Sequence, residues 1–225
     1  MVEFDDNALV EWMEHCIAHG ENVLAQGYQG QVYFYEDGAH RWVVKAASGR
    51  GLMRWLRRRM LRREHRVYQR LRGMPGCPQC LGLVRGRYLV LEYIDGVPLR
   101  RAPVTDPAAF YRRLFALIEQ LHARGVAHSD MKRKDNLLVV GGDTPCLIDF
   151  GAAMLRAPGF APLNHYLFRI AQRFDYNAWI KLKYNNRLDE IAPADRAFYR
   201  RTWVEKFARH TKRAYQRLRY GRRGG

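Results

Sequence analysis

The spacing of apolar positions changes character several times along the chain, and each change predicts an element. Residues 6–19 place Leu9, Trp12, Met13 and Ile17 on one helical face behind Asp6 as N-cap, so an amphipathic helix is expected there. Residues 21–46 change character to β-rich runs. Val32-Tyr33-Phe34-Tyr35 and Arg41-Trp42-Val43-Val44 flank Glu36-Asp37-Gly38, the pattern of a β-hairpin. Residues 52–72 return to helical spacing through Leu52, Trp55, Leu56, Met60, Val67 and Leu71, until Gly73-Met74-Pro75-Gly76-Cys77-Pro78 breaks the run. Short strands follow at Leu81–Val84 and Tyr88–Glu92, and residues 98–105 read as a linker. Asp106-Pro107 opens a strong helix with Phe110, Leu114, Leu117, Ile118 and Leu121 on one stripe. Leu137–Val140 and Cys146–Ile148 form a second strand pair around Gly141-Gly142, and helical spacing resumes from about residue 160. The order predicts an α+β chain in three parts: a helical extension over 1–20, a β-rich lobe over 21–97 and a mostly helical lobe over 98–225.

The 39 Lys and Arg residues outnumber the 22 Asp and Glu, a formal charge of +17, and they cluster. Residues 50–72 hold Arg50, Arg54, Arg57, Arg58, Arg59, Arg62, Arg63, Arg66, Arg70 and Arg72 with Glu64 as their only carboxylate. A second run spans Arg200 to Arg223. Such density suits an anionic partner: a phosphorylated glycolipid, an anionic membrane surface met peripherally, or nucleic acid, which stays open. With the apolar stripe of residues 52–72 packed on the β-rich lobe, the arginines of the first run are expected to point outward. No stretch is long and apolar enough to span a bilayer, and the acidic start at Met1–Asp6 lacks the pattern of a signal peptide. Four cysteines in 225 residues do not make a disulfide scaffold, so a reducing cytoplasm is expected, and the basic clusters would allow peripheral contact with a membrane there.

Candidate chemistry lies in five places. Gly27 and Gly30 lie in the first turn of the β-rich lobe, where glycines let backbone N–H groups approach phosphates. Lys45 ends an apolar strand, as a snorkelling surface residue or as a phosphate ligand held by a carboxylate. Glu64 is the only acidic residue between Lys45 and Glu92; it reads either as a helix-surface residue among its arginines or as the partner of Lys45. Asp130 follows His128-Ser129 and precedes Asn136-Leu137-Leu138-Val139, and Asp149 follows Leu147-Ile148. An aspartate to accept a hydroxyl proton, with Asn136 and Asp149 as hard oxygen donors for Mg²⁺, suits a metal–nucleotide site.

In this order the five segments resemble the protein-kinase-like superfamily across residues 24–151. The resemblance implies a two-lobed protein-kinase-like fold with ATP and Mg²⁺ as cofactors. It implies that the turn from Ala25 through Gly27 and Gly30 covers the phosphates, with Ala25 where the family has its first glycine. Val32 and Val43 would sandwich adenine, the backbone of Glu92-Tyr93-Ile94 would read its edge, and Lys45 would pair with Glu64. Asp130 becomes the catalytic base, Lys132 a γ-phosphate contact, and Asn136 with Asp149 the metal ligands. Asp130 and Asn136 lie six positions apart where the family has five, so Asp135 stands as the alternative ligand. Ser129 replaces the arginine of many regulated kinases, and no Ala-Pro-Glu follows Asp149.

Phe174-Asp175-Tyr176-Asn177-Ala178-Trp179 resembles the aspartate-containing helix of bacterial lipopolysaccharide core kinases of the Kdo and heptose type, which are also similar to the RIO kinases. That resemblance implies phosphorylation of a lipopolysaccharide inner-core sugar. A RIO-like serine/threonine kinase with a protein substrate, and a nucleotide-binding scaffold without turnover, are the alternatives. In either case Asp175 is expected to brace the catalytic loop and Trp179 to fill the core. Cys77-Pro78-Gln79-Cys80 has no second pair at zinc spacing and reads as ordinary thiols in a turn.

Overall fold

The computed structural model describes residues 5–27, 30–36, 38 and 40–200. Tyr28 and Gln29 of the glycine-rich turn, and the basic run from Arg201 onward, lie outside the described residues.

The first helix, α1 (Asp6–His19), is capped by Asp5 rather than Asp6: the Asp5 carboxylate accepts from Asn7 N–H at 2.8 Å. Gly20, in the left-handed region at φ 71°, ends it. Five antiparallel strands follow: β1 (Val23–Gly27), β2 (Gly30–Glu36), β3 (Arg41–Ala46), β4 (Cys80–Val84) and β5 (Tyr88–Glu92), in the order β1-β2-β3-β5-β4. A helix, α2 (Gly51–Arg70), is inserted between β3 and β4. Strand alternation sorts side chains onto two faces. Val44, Ala46, Tyr88 and Val90 pack with Leu9, Val10, Met13 and Cys16 of α1. Leu89 and Leu91 join Leu61, Val67 and Tyr68 of α2 in the larger core. Lys45 and Val43 pair in register with Leu89 and Leu91, so they share the α2 face.

Helix α2 departs from the sequence expectation. Only its second half packs, through Leu61, Glu64, Val67 and Tyr68, whereas Leu52, Met53, Trp55 and Leu56 are exposed. The reason is length. A 20-residue helix runs about 30 Å, while the five-residue strands β4 and β5 run about 17 Å. The helix overhangs the sheet.

The rest of the chain forms β6 (Val97–Pro98), α3 (Pro107–Ala123), β7 (Val126–Ala127), β8 (Leu137–Val140), β9 (Thr144–Leu147), β10 (Met154–Leu155) and α4 (Pro162–Lys183). Asp106 caps α3 through Ala109 N–H at 3.0 Å, with Pro107 in the first turn, as the sequence predicts. Strand β9 begins at Thr144 and ends at Leu147, earlier than the expected 146–148. Trp179 of α4 is buried and donates to the Tyr111 carbonyl of α3 at 2.8 Å. One apolar core runs from Leu61 and Tyr68 through Met74 to Leu117, Phe150 and Ile180, joining the sheet to the helices.

Candidate active site

Lys45 leaves the α2 face of β3 and meets two carboxylates. Its Nζ lies 2.7 Å from Glu64 Oε1 and 2.7 Å from Asp149 Oδ1. Glu64 projects from the packed half of α2, and its side chain is only 1% exposed. Burial alone would lower the Lys45 pKa; Glu64 and Asp149 outweigh it and hold the ammonium form above the usual lysine range. Burial pushes the Glu64 carboxyl up, and Lys45 only partly reverses this. For Asp149, burial is outweighed by Lys45, and the pKa falls below the usual carboxylate range.

Asp149 itself has φ 61°, a left-handed conformation that turns the chain sharply after β9. The next side chain, Phe150, is buried between the Tyr68 ring of α2, 5.3 Å away, and the His128 ring, 4.8 Å away. His128 ties the two loops together. Its Nδ1 accepts from Asp130 N–H at 3.3 Å, so Nε2 carries the proton and donates to the Ile148 carbonyl at 3.0 Å.

The loop that carries Asp130 is fixed from beneath by α4. Asp175 is fully buried; its oxygens accept from His128 N–H at 2.8 Å, Ser129 N–H at 2.7 Å and His122 Nε2 at 3.0 Å. These bonds hold Ser129 at φ 68°, a conformation costly for a side chain with a Cβ. The extra residue in the interval from Asp130 to Asn136 is absorbed by a 3₁₀ turn over Lys134–Asn136. Asn136 is buried by it, with Nδ2 3.2 Å from the Asp130 carbonyl and 3.3 Å from its carboxylate. Asp135 faces solvent and pairs with Arg100 at 3.1 Å. Lys132, Arg133 and Lys134 are exposed on the same loop, with Arg133 3.8 Å from the Asp130 carboxylate.

On the sheet, Gly27 and Gly30 face each other across the β1–β2 turn, and Ala25 pairs with Val32. Gly30 has a packing reason as well: a Cβ there would lie 2.1 Å from the Ala46 carbonyl oxygen. Val32 pairs with Lys45 and Phe34 with Val43, so all four share the face that carries the lysine. At the end of β5, Glu92 N–H donates to the Gln79 carbonyl and Tyr93 N–H to the Arg41 carbonyl, which fixes the backbone entering Ile94.

Three arginines of the basic run bond to backbone rather than standing free: Arg57 is half-buried, while Arg63 and Arg70 stay exposed as expected. Arg57 binds the Ser48 carbonyl and hydroxyl, Arg63 the Ala153 carbonyl and Arg70 the Arg156 carbonyl. Arg63 and Arg70 thus hold the segment that follows Asp149. Their seven-residue spacing, one helical face, was the available signal. Cys77 and Cys80 are free thiols with pKa values raised by burial, that of Cys80 to about 11.

The sequence model of the phosphotransferase enzyme family matches residues 21–133, half of the chain, and covers the sheet, α2, α3 and Asp130. The chain belongs to that family. Among curated relatives, serine/threonine-protein kinase PknD of Mycobacterium tuberculosis is 34% identical over 142 residues, 58% of this chain and 21% of the relative. Calcium-dependent protein kinase 27 of Oryza sativa subsp. japonica is 31% identical over 155 residues, 60% of this chain and 24% of its own length. The chain therefore spans about a quarter or less of these relatives. Among solved structures, the Rio2 kinase of Chaetomium thermophilum, in a complex with ADP, Mg²⁺ and phosphoaspartate, superposes with a TM-score of 0.55 at 20% identity. That match covers 82% of this chain and 63% of the other, and it establishes the protein-kinase-like fold.

Proposed function

We propose that this phosphotransferase moves the γ-phosphoryl group of ATP to an alcohol hydroxyl. The observation that carries this reading is Lys45 held between Glu64 and Asp149, with Asp130 joined to the Asp149 loop through His128. Lys45 holds nucleotide phosphates; Val32 and Val43 flank the base, and the backbone of Glu92 and Ile94 reads its edge. The turn at Ala25, Gly27 and Gly30 lies over the phosphates.

The donor set suits Mg²⁺. Among the described residues no three His, Cys, Asp or Glu gather as a self-sufficient metal cage. Mg²⁺ is characteristically held by one or two protein oxygens plus phosphates. Asp149 keeps Oδ2 free of Lys45, and Asn136, whose Nδ2 is spent on Asp130, keeps Oδ1 as its acceptor. When bound there, Mg²⁺ supplies charge neutralisation at the phosphate oxygens. Asp130 orients the acceptor hydroxyl and takes its proton, while Lys132 steadies the transferring group.

For the acceptor we favour a sugar hydroxyl of the lipopolysaccharide inner core. Lys132, Arg133 and Lys134 beside Asp130 favour an anionic acceptor, and the α4 segment around Asp175 carries the likeness to core kinases. The serine/threonine kinases among the relatives favour a protein hydroxyl as the second reading. Purified protein given labelled ATP with lipopolysaccharide or with candidate proteins separates them. Asp130→Asn should keep ATP binding and cut turnover about 100- to 10,000-fold. Full activity in that variant would remove Asp130 from the mechanism, and an unchanged core phosphate content in cells lacking the protein would sink the glycolipid reading.

A further inference from the structure

The overhanging half of α2 combines two properties that seldom share a surface. Leu52 is 73% exposed and Trp55 56%, with Met53 and Leu56 also open to solvent. Between and beside them stand Arg50, Arg54 and Arg59, all exposed, and the Arg59 guanidinium lies 5.9 Å from the Trp55 ring centroid. The sequence has no Asp or Glu between Asp37 and Glu64, so these cations have no acidic neighbour on their own helix turns.

We infer that the first turns of α2 are an interfacial anchor for an anionic lipid bilayer. Leu52, Met53, Trp55 and Leu56 enter the headgroup–acyl boundary, and Arg50, Arg54 and Arg59 bind lipid phosphates. A helix lying in the interface needs an apolar side with tryptophan or leucine and a cationic flank, and this segment has both. Nucleic acid would satisfy the arginines but offer no acyl region for Leu52, Met53 and Leu56. A second copy would bring its own +17 charge to the contact. A second exposed apolar patch, Phe160, Leu163, Tyr166 and Leu167 at the start of α4, is flanked by Arg156 and Arg169 but has no tryptophan, and the vesicle measurements below separate it from α2. No described helix is long and apolar enough to cross a membrane, so the contact lies on the surface. The inference needs no nucleotide and stands apart from the catalytic reading.

Binding of the full chain to phosphatidylcholine vesicles, with and without phosphatidylglycerol, tests it. Anionic vesicles should bind and neutral ones should not. The triple variant Arg50→Ser, Arg54→Ser, Arg59→Ser should bind about 100-fold more weakly at low salt, since each such cation contributes about fivefold, and the gap should close as salt rises. Leu52→Ser with Leu56→Ser should weaken binding about tenfold at every ionic strength. Bromine-labelled acyl chains should quench fluorescence in the parent, and Trp55→Phe should remove that quenching. All variants should keep the parental melting temperature and its rise with ATP and Mg²⁺. The inference is overturned by equal binding to neutral vesicles, by quenching that survives Trp55→Phe, or by loss of binding in Phe160→Ser with Leu163→Ser instead. It is equally overturned if the α2 variants destabilise the fold, abolish a dimer, or change RNA binding and not vesicle binding.

Discussion

Glu64 and Asp175 are both carboxylates almost wholly removed from water, and they are kept there in opposite ways. Glu64 is balanced chiefly by one mobile cation, Lys45, with a weaker contribution from the Phe150 N–H, and its Oε2 has no hydrogen-bond partner among the described residues. Asp175 has both oxygens filled by donors from two different elements, the His128 and Ser129 amides and the His122 ring. A charge balanced by another charge can be rebalanced when phosphates or a metal arrive, because Lys45 also answers to Asp149. A charge held by backbone N–H groups has no such freedom. The sheet side of the site is therefore built to respond to a ligand, and the α4 side to keep the Asp130 loop in place. The same contrast separates an electrostatic role from a structural one.

The largest effect should follow from breaking the rigid side. Asp175→Ala leaves the buried His128 amide and the half-buried Ser129 amide without acceptors and releases the left-handed conformation of Ser129. A loss of about 3–5 kcal/mol of stability is expected. Denaturant titration checks it, and a variant within 1 kcal/mol of the parent (about a fivefold change in the folding constant) would make the brace dispensable.

These two carboxylates were unequally visible in the sequence. Glu64 stood out by elimination, and the β2–β3 hairpin that delivers Lys45 was written in two β-rich runs around Glu36-Asp37-Gly38. The Asp130 to Asn136 interval was visible, but its choice of ligand was not, because a 3₁₀ turn rather than composition decides that Asn136 turns in while Asp135 pairs with Arg100. Asp175 was expected to brace the loop, yet its donors lie 46 to 53 residues upstream and meet it only when α4 packs on α3. Helix α2 shows the limit most clearly. Its period predicts an apolar side throughout, but nothing local says that the sheet stops before the helix does. The seven-residue spacing of Arg63 and Arg70 puts them on one face, but their acceptors were hidden, because a backbone carbonyl is something every residue has.

A smaller effect is expected on the responsive side. Lys45→Met removes the cation, but the Glu64 carboxyl, already pushed up by burial, takes a proton instead of remaining as a bare charge. The cost should be about 2–3 kcal/mol, below that of Asp175→Ala, and Glu64→Gln in the same chain should recover about 1 kcal/mol of it. Nucleotide should no longer raise the melting temperature of either variant. Failure of the double variant to recover stability would mean that Lys45 and Glu64 are not balanced against each other in the folded protein.

The smallest effect is one of sign, seen on acidification in metal-free buffer. The folded-state pKa of Asp149 lies below its ordinary value of 3.8, so the stability it contributes is present above that value and is lost as pH falls through the folded-state pKa. The Glu64 pKa lies above its ordinary value of 4.5, so its contribution has the opposite sense: it is full below that value and is lost as pH rises through the folded-state pKa. Asp149→Asn should therefore flatten the acid limb of the melting temperature against pH, whereas Glu64→Gln should steepen it. Asp149 is more than a third exposed, so solvent screening keeps its share small. The direction decides the matter. If both variants moved the acid limb the same way, the two carboxylates would be acting as one undifferentiated acidic pair, and the view of Lys45 as the cation that distinguishes them would fail.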